Sequence, residues 1–198
     1  MKILGTTDEE LALCAQKGCK KSFAELVRRY RTRLLFVLQG YTKNVDDAED
    51  LVQDTFVKAY RNIQKYKSKF KFSVWLFTIA RRLAINHYHY TKRFQDAVEK
   101  STCQDVTCSG ITDEQSGESI WALAQKLPNN QYHVLWFMYA ENMSIKEISK
   151  VLGKSQVNIK VLLYRARKNL MVQLKDLMIY DDIWALKSYR QKLPQTES

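Results

Sequence analysis

The chain has no run of apolar residues approaching the roughly 18 that a membrane-spanning helix requires. Its opening, MKILGTTDEE, holds no apolar stretch that could serve as a signal peptide. These two absences predict a cytoplasmic protein with no membrane insertion. Cysteine is sparse: Cys14, Cys19, Cys103 and Cys108. In a reducing compartment all four are expected as thiols. They form two C-x4-C pairs at the edge of zinc-ligand spacing, but Cys14 and Cys19 straddle a predicted helix end and do not clearly face one site. A redox link between Cys103 and Cys108 stays open; no metal and no cofactor are expected. No stretch alternates apolar and polar residues well enough to predict a set of strands. The fold class is therefore all-α.

Charge is abundant and unevenly placed. The net charge is +11 over 198 residues. Residues 1–95 hold 19 Lys/Arg against 9 Asp/Glu, residues 96–119 hold 1 against 6, residues 120–174 hold 8 against 2, and residues 175–198 hold 4 of each. Two basic blocks flank an acidic bridge, which suggests two separate contacts with a polyanion. The bridge, residues 94–114, is polar and turn-rich and reads as a flexible linker. Fully extended it spans about 70 Å, and as a coil it averages about 25 Å. Two small domains, residues 1–93 and 115–174, could then sit one to two DNA turns apart. Residues 175–198 form a neutral tail of unreadable role.

Four hydroxyl residues stand three positions before an acid or amide, the spacing of a capping box: Thr7 and Glu10, Ser22 and Glu25, Thr112 and Gln115, Ser144 and Glu147. Periodicity predicts helices over 8–17, 23–40, 45–64 and 73–90, then 116–126 and 129–139. In the second, Phe23, Leu26, Tyr30, Leu34 and Val37 mark the inner stripe, and Arg28, Arg29, Arg31 and Arg33 are expected to face out. In the fourth, Ser73 is the expected cap.

The stretch from Lys65 to Arg93 has a special composition. Lys65, Lys67, Lys69 and Lys71 alternate with other residues, and Tyr66, Phe70 and Phe72 lie between them. Cations that follow phosphates and rings that stack on unpaired bases suit a single nucleic-acid strand, at about 1–3 kcal/mol per stacked base. The plainer alternative is a solvated basic face over an ordinary core. Trp75, Phe77 and Ile79 sit at helical spacing and read as core.

Asp50, Gln53 and Asp54 lie at i, i+3 and i+4, so they share one helical face. That face is opposite the apolar Ala48, Val52, Phe56, Ala59 and Ile63. It reads as solvent-exposed surface or as a dock for a basic partner. A metal-dependent nuclease built on these acids lacks a nearby His or Lys catalyst, and no catalytic residue is assigned.

In the second basic block Ile145, Ile148 and Leu152 outline a short amphipathic helix. Gly153 follows as a turn residue that reaches positive φ without strain. Ser155 can then cap a second helix with Ile159, Leu162 and Leu163 inward. This is helix-turn-helix order. It would turn Gln156, Asn158, Lys160, Val161, Tyr164 and Arg165 toward a major groove. Arg165, Arg167 and Lys168 would reach phosphates or guanine edges.

Two motif sets in one order carry a resemblance. DAEDLVQDTFVKAY with FSVWLFTIARRLAINHY, and later LPNNQYHVLWFMYAENMSIKEISKVLGKS with YRARKNL, resemble the bacterial sigma factors of the extracytoplasmic-function type, which keep the second and fourth family regions. The likeness covers about residues 20–93 and 115–174. It implies a promoter-specificity subunit that is not itself an enzyme. Its implied partners are core RNA polymerase, promoter DNA (duplex at −35, melted strand at −10) and an anti-sigma factor, with no small-molecule substrate. By the resemblance, Asp50, Gln53 and Asp54 match the strip that binds the clamp helices of the polymerase's largest subunit. Lys65, Lys69, Lys71, Phe72, Trp75, Arg81, Arg82, Asn86, Tyr90 and Arg93 would contact the −10 element. Ser155, Gln156, Asn158, Lys160, Val161, Tyr164, Arg165, Arg167 and Lys168 would contact the −35 element. The linker would thread the polymerase's RNA path.

The sequence departs from the family pattern at three places. Arg82 stands where many relatives have Asn beside the flipped base. Val157-Asn158-Ile159 replaces the commoner Gly-Thr-Val, and Leu162 stands where Arg is usual. The rival readings are a stand-alone helix-turn-helix regulator and the nuclease.

Overall fold

The computed structural model describes residues 6–42, 44–98 and 120–176, and every regular element among them is helical. The order is α1 (Asp8–Gln16), α2 (Lys20–Gln39), α3 (Val45–Arg61), a 3-10 turn at Ile63–Lys65, and α4 (Phe72–Val98). Then come α5 (Ile120–Gln125), α6 (Asn129–Leu135), a π-turn at Trp136–Ala140, α7 (Ile145–Leu152) and α8 (Gln156–Asp176). The chain is all-α, as its periodicity predicts.

The helix starts follow local chemistry. At α1 the Thr7 hydroxyl accepts from Glu10 N while Glu10 Oε2 accepts from Thr7 N, a reciprocal pair that satisfies two free donors. Ser144 and Glu147 do the same at α7. Asn44 caps α3 through a 2.7 Å bond from Asp47 N. Ser155 accepts from Asn158 N at the head of α8.

Ser22 departs from its predicted role. The helix already starts at Lys20, so Ser22 is buried inside the first turn and donates to Cys19 Sγ at 3.2 Å. Glu25, freed from capping, binds Arg28 and Arg29 instead, and those two guanidinium groups hold its carboxyl down at about 2. At α4 the helix begins at Phe72, and Ser73 is already inside it. It also runs on to Val98, into the stretch predicted as linker. The Thr112–Gln115 pair, Cys103, Cys108 and most of the linker and tail lie outside the described residues.

Residues of both predicted domains share one apolar core. In the N-terminal module Leu26, Tyr30, Leu34, Phe72, Leu76 and Phe77 are buried. In the C-terminal module Val134, Phe137, Ile148, Val151, Leu152, Ile159 and Leu163 are buried. Phe77 of α4 meets Phe137 of the π-turn edge-on at 5.2 Å. The modules thus pack directly on each other instead of standing a linker's reach apart.

That junction has polar pins. The sequence predicts a solvent-facing Arg33. It turns inward, and its Nε donates to Glu141 Oε1 at 2.8 Å while Nη2 binds Oε2. The Glu141 side chain is fully buried; burial pushes its pKa up and the Arg33 charge opposes that. His133 is 1% exposed, stacks on Tyr41 at 4.4 Å and bonds Val37 O at 3.1 Å. The carbonyl accepts, so Nε2 carries the proton. Gly40 makes room for this ring, since a Cβ there would lie 2.6 Å from His133 Nε2. Asn129 Nδ2 donates to Gly40 O beside it.

Candidate nucleic-acid and polymerase interfaces

Three surfaces carry the residues that the sequence singles out. The first is on α3. Asp50, Gln53 and Asp54 are all exposed, while Ala48, Leu51, Val52, Thr55 and Phe56 turn inward. The 3.6-residue period separates these two faces. Beside the strip lies a groove of about 290 Å³ between α2 and α3. Val27, Leu35, Val52 and Phe56 form its apolar floor, and Arg31, Glu49 and Gln53 its polar rim. An apolar floor with a few charged edges suits a protein partner better than a charged polymer. Among the described residues no three His, Cys, Asp or Glu side chains come together as metal ligands.

The second surface is the segment from Ile63 to Phe72 and the start of α4. Lys65, Lys67, Lys69, Phe70 and Lys71 are exposed. The rings around them divide into two sets. Phe72, predicted to touch DNA, is 0% exposed and sits among Tyr30, Tyr66 and Trp75 at centroid distances of 5.5, 5.6 and 5.6 Å. It is a core residue, and stacking on a base would require it to leave the core. Phe70, at 42% exposure, is the ring this segment presents. Trp75 is half-buried, with Tyr66 at 5.5 Å. Tyr66 is itself buried, and its hydroxyl donates to Phe70 O at 2.7 Å, which shapes the turn beneath the exposed ring.

Further along α4, Arg82, Asn86, Tyr88 and Tyr90 are exposed, Tyr90 at 71%. The side chain of Arg93 lies outside the described residues. Arg81 is half-buried. It approaches Gly153, where a Cβ would meet its Nη1 at 3.2 Å, and its charge faces the Tyr41 hydroxyl.

The third surface is α8. Gly153 adopts φ 58° and turns the chain between α7 and α8, as the sequence predicts. Ile159, Leu163, Ala166 and Leu170 are buried, and Leu162 packs partly against the core. Ser155, Gln156, Asn158, Lys160, Val161, Tyr164, Arg165, Arg167 and Lys168 are all exposed. Val157 and Tyr164 are 71% and 68% exposed, an unusual display of bulk on a helix already anchored along its other side. Arg167 Nε donates to Tyr139 OH at 2.9 Å, which fixes its guanidinium near the C-terminal module.

The C-terminal module touches one edge of the second surface, at Phe70 and Lys71. Lys71 Nζ lies 3.2 Å from Asn142 O and 3.4 Å from Glu147 Oε2. The ammonium of Lys150 sits 4.3 Å above the Phe70 ring. Arg33–Glu141 and His133–Tyr41 lock the same junction. Sequence reasoning missed these partners. Glu141 carried one signal, being one of only two acids in a strongly basic stretch.

Comparison with known proteins identifies two family regions. Residues 26–94 match sigma-70 region 2, and residues 117–170 match sigma-70 region 4. The ECF RNA polymerase sigma factor SigM of Bacillus subtilis is 30% identical over 149 residues, which covers 74% of this chain and 91% of that protein. SigW of the same organism, also an ECF RNA polymerase sigma factor, is 29% identical over 175 residues, or 82% of this chain and 94% of its own length. Among solved structures, sigma factor RpoE in complex with the anti-sigma factor NepR from Bartonella quintana aligns with a TM-score of 0.56 at 25% identity, covering 75% of this chain and 98% of that one. CnrH in complex with the cytosolic domain of CnrY aligns with a TM-score of 0.59 at 24% identity, covering 85% and 97%. None of the described helices is long and apolar enough to cross a membrane.

Proposed function

Since this chain belongs to the extracytoplasmic-function family of RNA polymerase sigma factors, we propose that it binds core polymerase through α3, reads the melted −10 strand with α4 and the segment before it, and reads the duplex −35 element with α8. Residues 1–93 form the first module and residues 115–174 the second. The protein acts in the cytoplasm and makes or breaks no bonds itself; that chemistry belongs to the polymerase.

One observation carries this reading. The three surfaces lie on one chain in the order of the two family regions, each built on a helix whose other face is anchored in the core. On α3 the exposed Asp50, Gln53 and Asp54 border the apolar groove, so the polymerase meets charge and apolar area together. On α8 the exposed Lys160, Arg165 and Lys168 supply phosphate contacts, and Gln156 and Asn158 near the helix start reach base edges. Val161 offers an apolar face to a thymine methyl.

Freeing the Phe70–Lys71 edge of the −10 surface requires the modules to part there. Lys71 and Phe70 are engaged by the C-terminal module, and the Arg81 guanidinium lies beside Gly153. Docking on the polymerase supplies the binding energy for that separation. An anti-sigma factor, the class of partner bound by the Bartonella quintana relative, would act by holding the modules together.

The test is retention on immobilised core polymerase. Replacing Gln53 and Asp54 together by Ala is expected to weaken retention about tenfold, as for truncating an interface hot spot, with an unchanged circular dichroism spectrum. Unchanged retention would remove the polymerase dock from α3.

A further inference from the structure

Helix α1 lies before the stretch that matches region 2, which begins at residue 26. Yet α1 grips the strand-reading segment at both ends. At the first end, Gln16 Nε2 donates to Ile63 O and to Tyr66 O, each at 2.8 Å. One carboxamide has two N–H donors and here uses both. Gln64 Nε2 returns a 2.6 Å bond to Gln16 O. The 3-10 turn is thus tied to the end of α1 by three bonds that bridge 47 to 50 residues of chain. At the second end, Glu9 Oε1 accepts from Phe72 N at 2.9 Å. The first N–H groups of a helix have no intrahelical partner, and a carboxylate beside them also suits the positive end of the helix dipole.

The helix that carries these two side chains is itself fixed. The Thr7–Glu10 box closes its start. Asp8 binds Arg29 Nη1 at 2.8 Å and accepts from the Tyr30 hydroxyl at 2.5 Å. Leu11, Ala12 and Ala15 are buried against α2 and its neighbours. Between the two grips, residues 67–71 are shaped locally by a turn bond from Phe70 N to Lys67 O and by the Tyr66 hydroxyl on Phe70 O, with the Lys71 ammonium tied to Asn142 O and Glu147 at the far end. The exposed run Lys67, Ser68, Lys69, Phe70 and Lys71 hangs between the Gln16 and Glu9 contacts.

We propose that Gln16 and Glu9 are positioning residues for promoter recognition: by fixing the two ends of the 63–72 segment, α1 sets which bases of the unpaired −10 strand that segment discriminates. This rests on the assignment of that segment to the −10 strand. Neither residue touches DNA. Each works through backbone groups of the segment, so the prediction concerns base discrimination rather than bulk affinity.

The experiment uses full-length protein with core polymerase and fork-junction templates in which the −10 strand is already unpaired. Each unpaired base is replaced in turn, and binding is measured against the parent template. Affinity for the −35 duplex and thermal stability are followed in parallel. Gln16→Glu turns a donor into an acceptor that faces two carbonyls. It is expected to flatten base discrimination about tenfold, the scale of one to two lost hydrogen bonds. Glu9→Ala is expected to flatten it less, and Glu9→Gln, which keeps the acceptor oxygen, to restore it. Should Gln16→Glu fail to fold, Gln16→Met, of similar length without a donor, carries the same test.

Discrimination that survives in a folded, polymerase-bound Gln16 variant overturns the proposal. So does a loss that merely tracks a fall in melting temperature and in −35 affinity alike, because that is what a purely structural role predicts. If the wild-type protein shows no base preference at any unpaired position, the −10 assignment itself fails, a result distinct from either of these.

Discussion

The two surfaces proposed to read DNA are built on opposite principles. The N-terminal one is an irregular segment whose shape is imposed from beneath. Tyr66 and Phe72 are buried, and polar bonds from α1 hold both ends. The C-terminal one is a single continuous helix resting on the apolar seam of Ile159, Leu163, Ala166 and Leu170. Its outward side chains are close to free, with Arg167 on Tyr139 and Asn169 on Gln131 as the ties. The difference suits the two forms of DNA proposed for them. A duplex groove has fixed dimensions that a helix already fits. An unpaired strand has no such shape, so the protein must supply it.

This contrast can be broken most severely at Phe72. Removing a fully buried aromatic side chain is expected to cost about 3–5 kcal/mol, read as a fall in the urea midpoint of Phe72→Ala. A loss near zero would mean that the ring is dispensable to the core and would return it to the DNA-facing set.

A smaller effect sharpens the junction between the modules. Burial, aided by the nearby Arg81 charge, lowers the His133 pKa to about 4 despite its bond to Val37 O. The unfolded chain, with an ordinary His near 6.5, binds the proton first. Stability from the neutral His133 is therefore fully present above about pH 6.5 and fades as pH falls toward 4, by a few kcal/mol in all. Denaturation of wild type and His133→Phe at a series of pH values isolates this part. Parallel curves would show that His133 does not titrate across the folding transition.

The smallest stability effect is expected on α8. Lys160→Ala with Arg165→Ala is expected to change folding stability by no more than about 0.5 kcal/mol. The same pair should lower −35 affinity and reduce its salt dependence by about one slope unit per lost phosphate contact. A large fall in melting temperature would mean that these side chains support the fold, and the contrast between the two surfaces would weaken.

Much of this was legible in the sequence because it is local. The helices, the boxes at Thr7 and Ser144, the Gly153 turn and the exposed face of α8 depend on neighbours within a few positions. The acidic strip on α3 follows from the same helical period. What the sequence did not disclose depends on partners far along the chain. Arg33 looks like its neighbours Arg28 and Arg31, and only Glu141, 108 residues away, turns it inward. Ser22 has a capping partner at the right spacing, but the helix starts early and buries it. Phe70 and Phe72 are alike in composition and context. Phe72 is the first residue of α4 and turns into the core, while Phe70 stands in the irregular stretch before it and stays exposed. Gln16 and Glu9 gave no signal, since a carboxamide and a carboxylate on a short amphipathic helix read as solvated.

The contact that α7 and its approach make with Phe70 and Lys71 has a consequence for non-specific attachment to DNA. Non-specific attachment to a duplex is driven by counterions released as cations neutralise phosphates. Lys71 already has a carbonyl and a carboxylate beside it, and Lys150 already rests on a ring, so each has less to offer a passing backbone. Each cation held in this way is one phosphate contact fewer for irrelevant duplex sites to exploit.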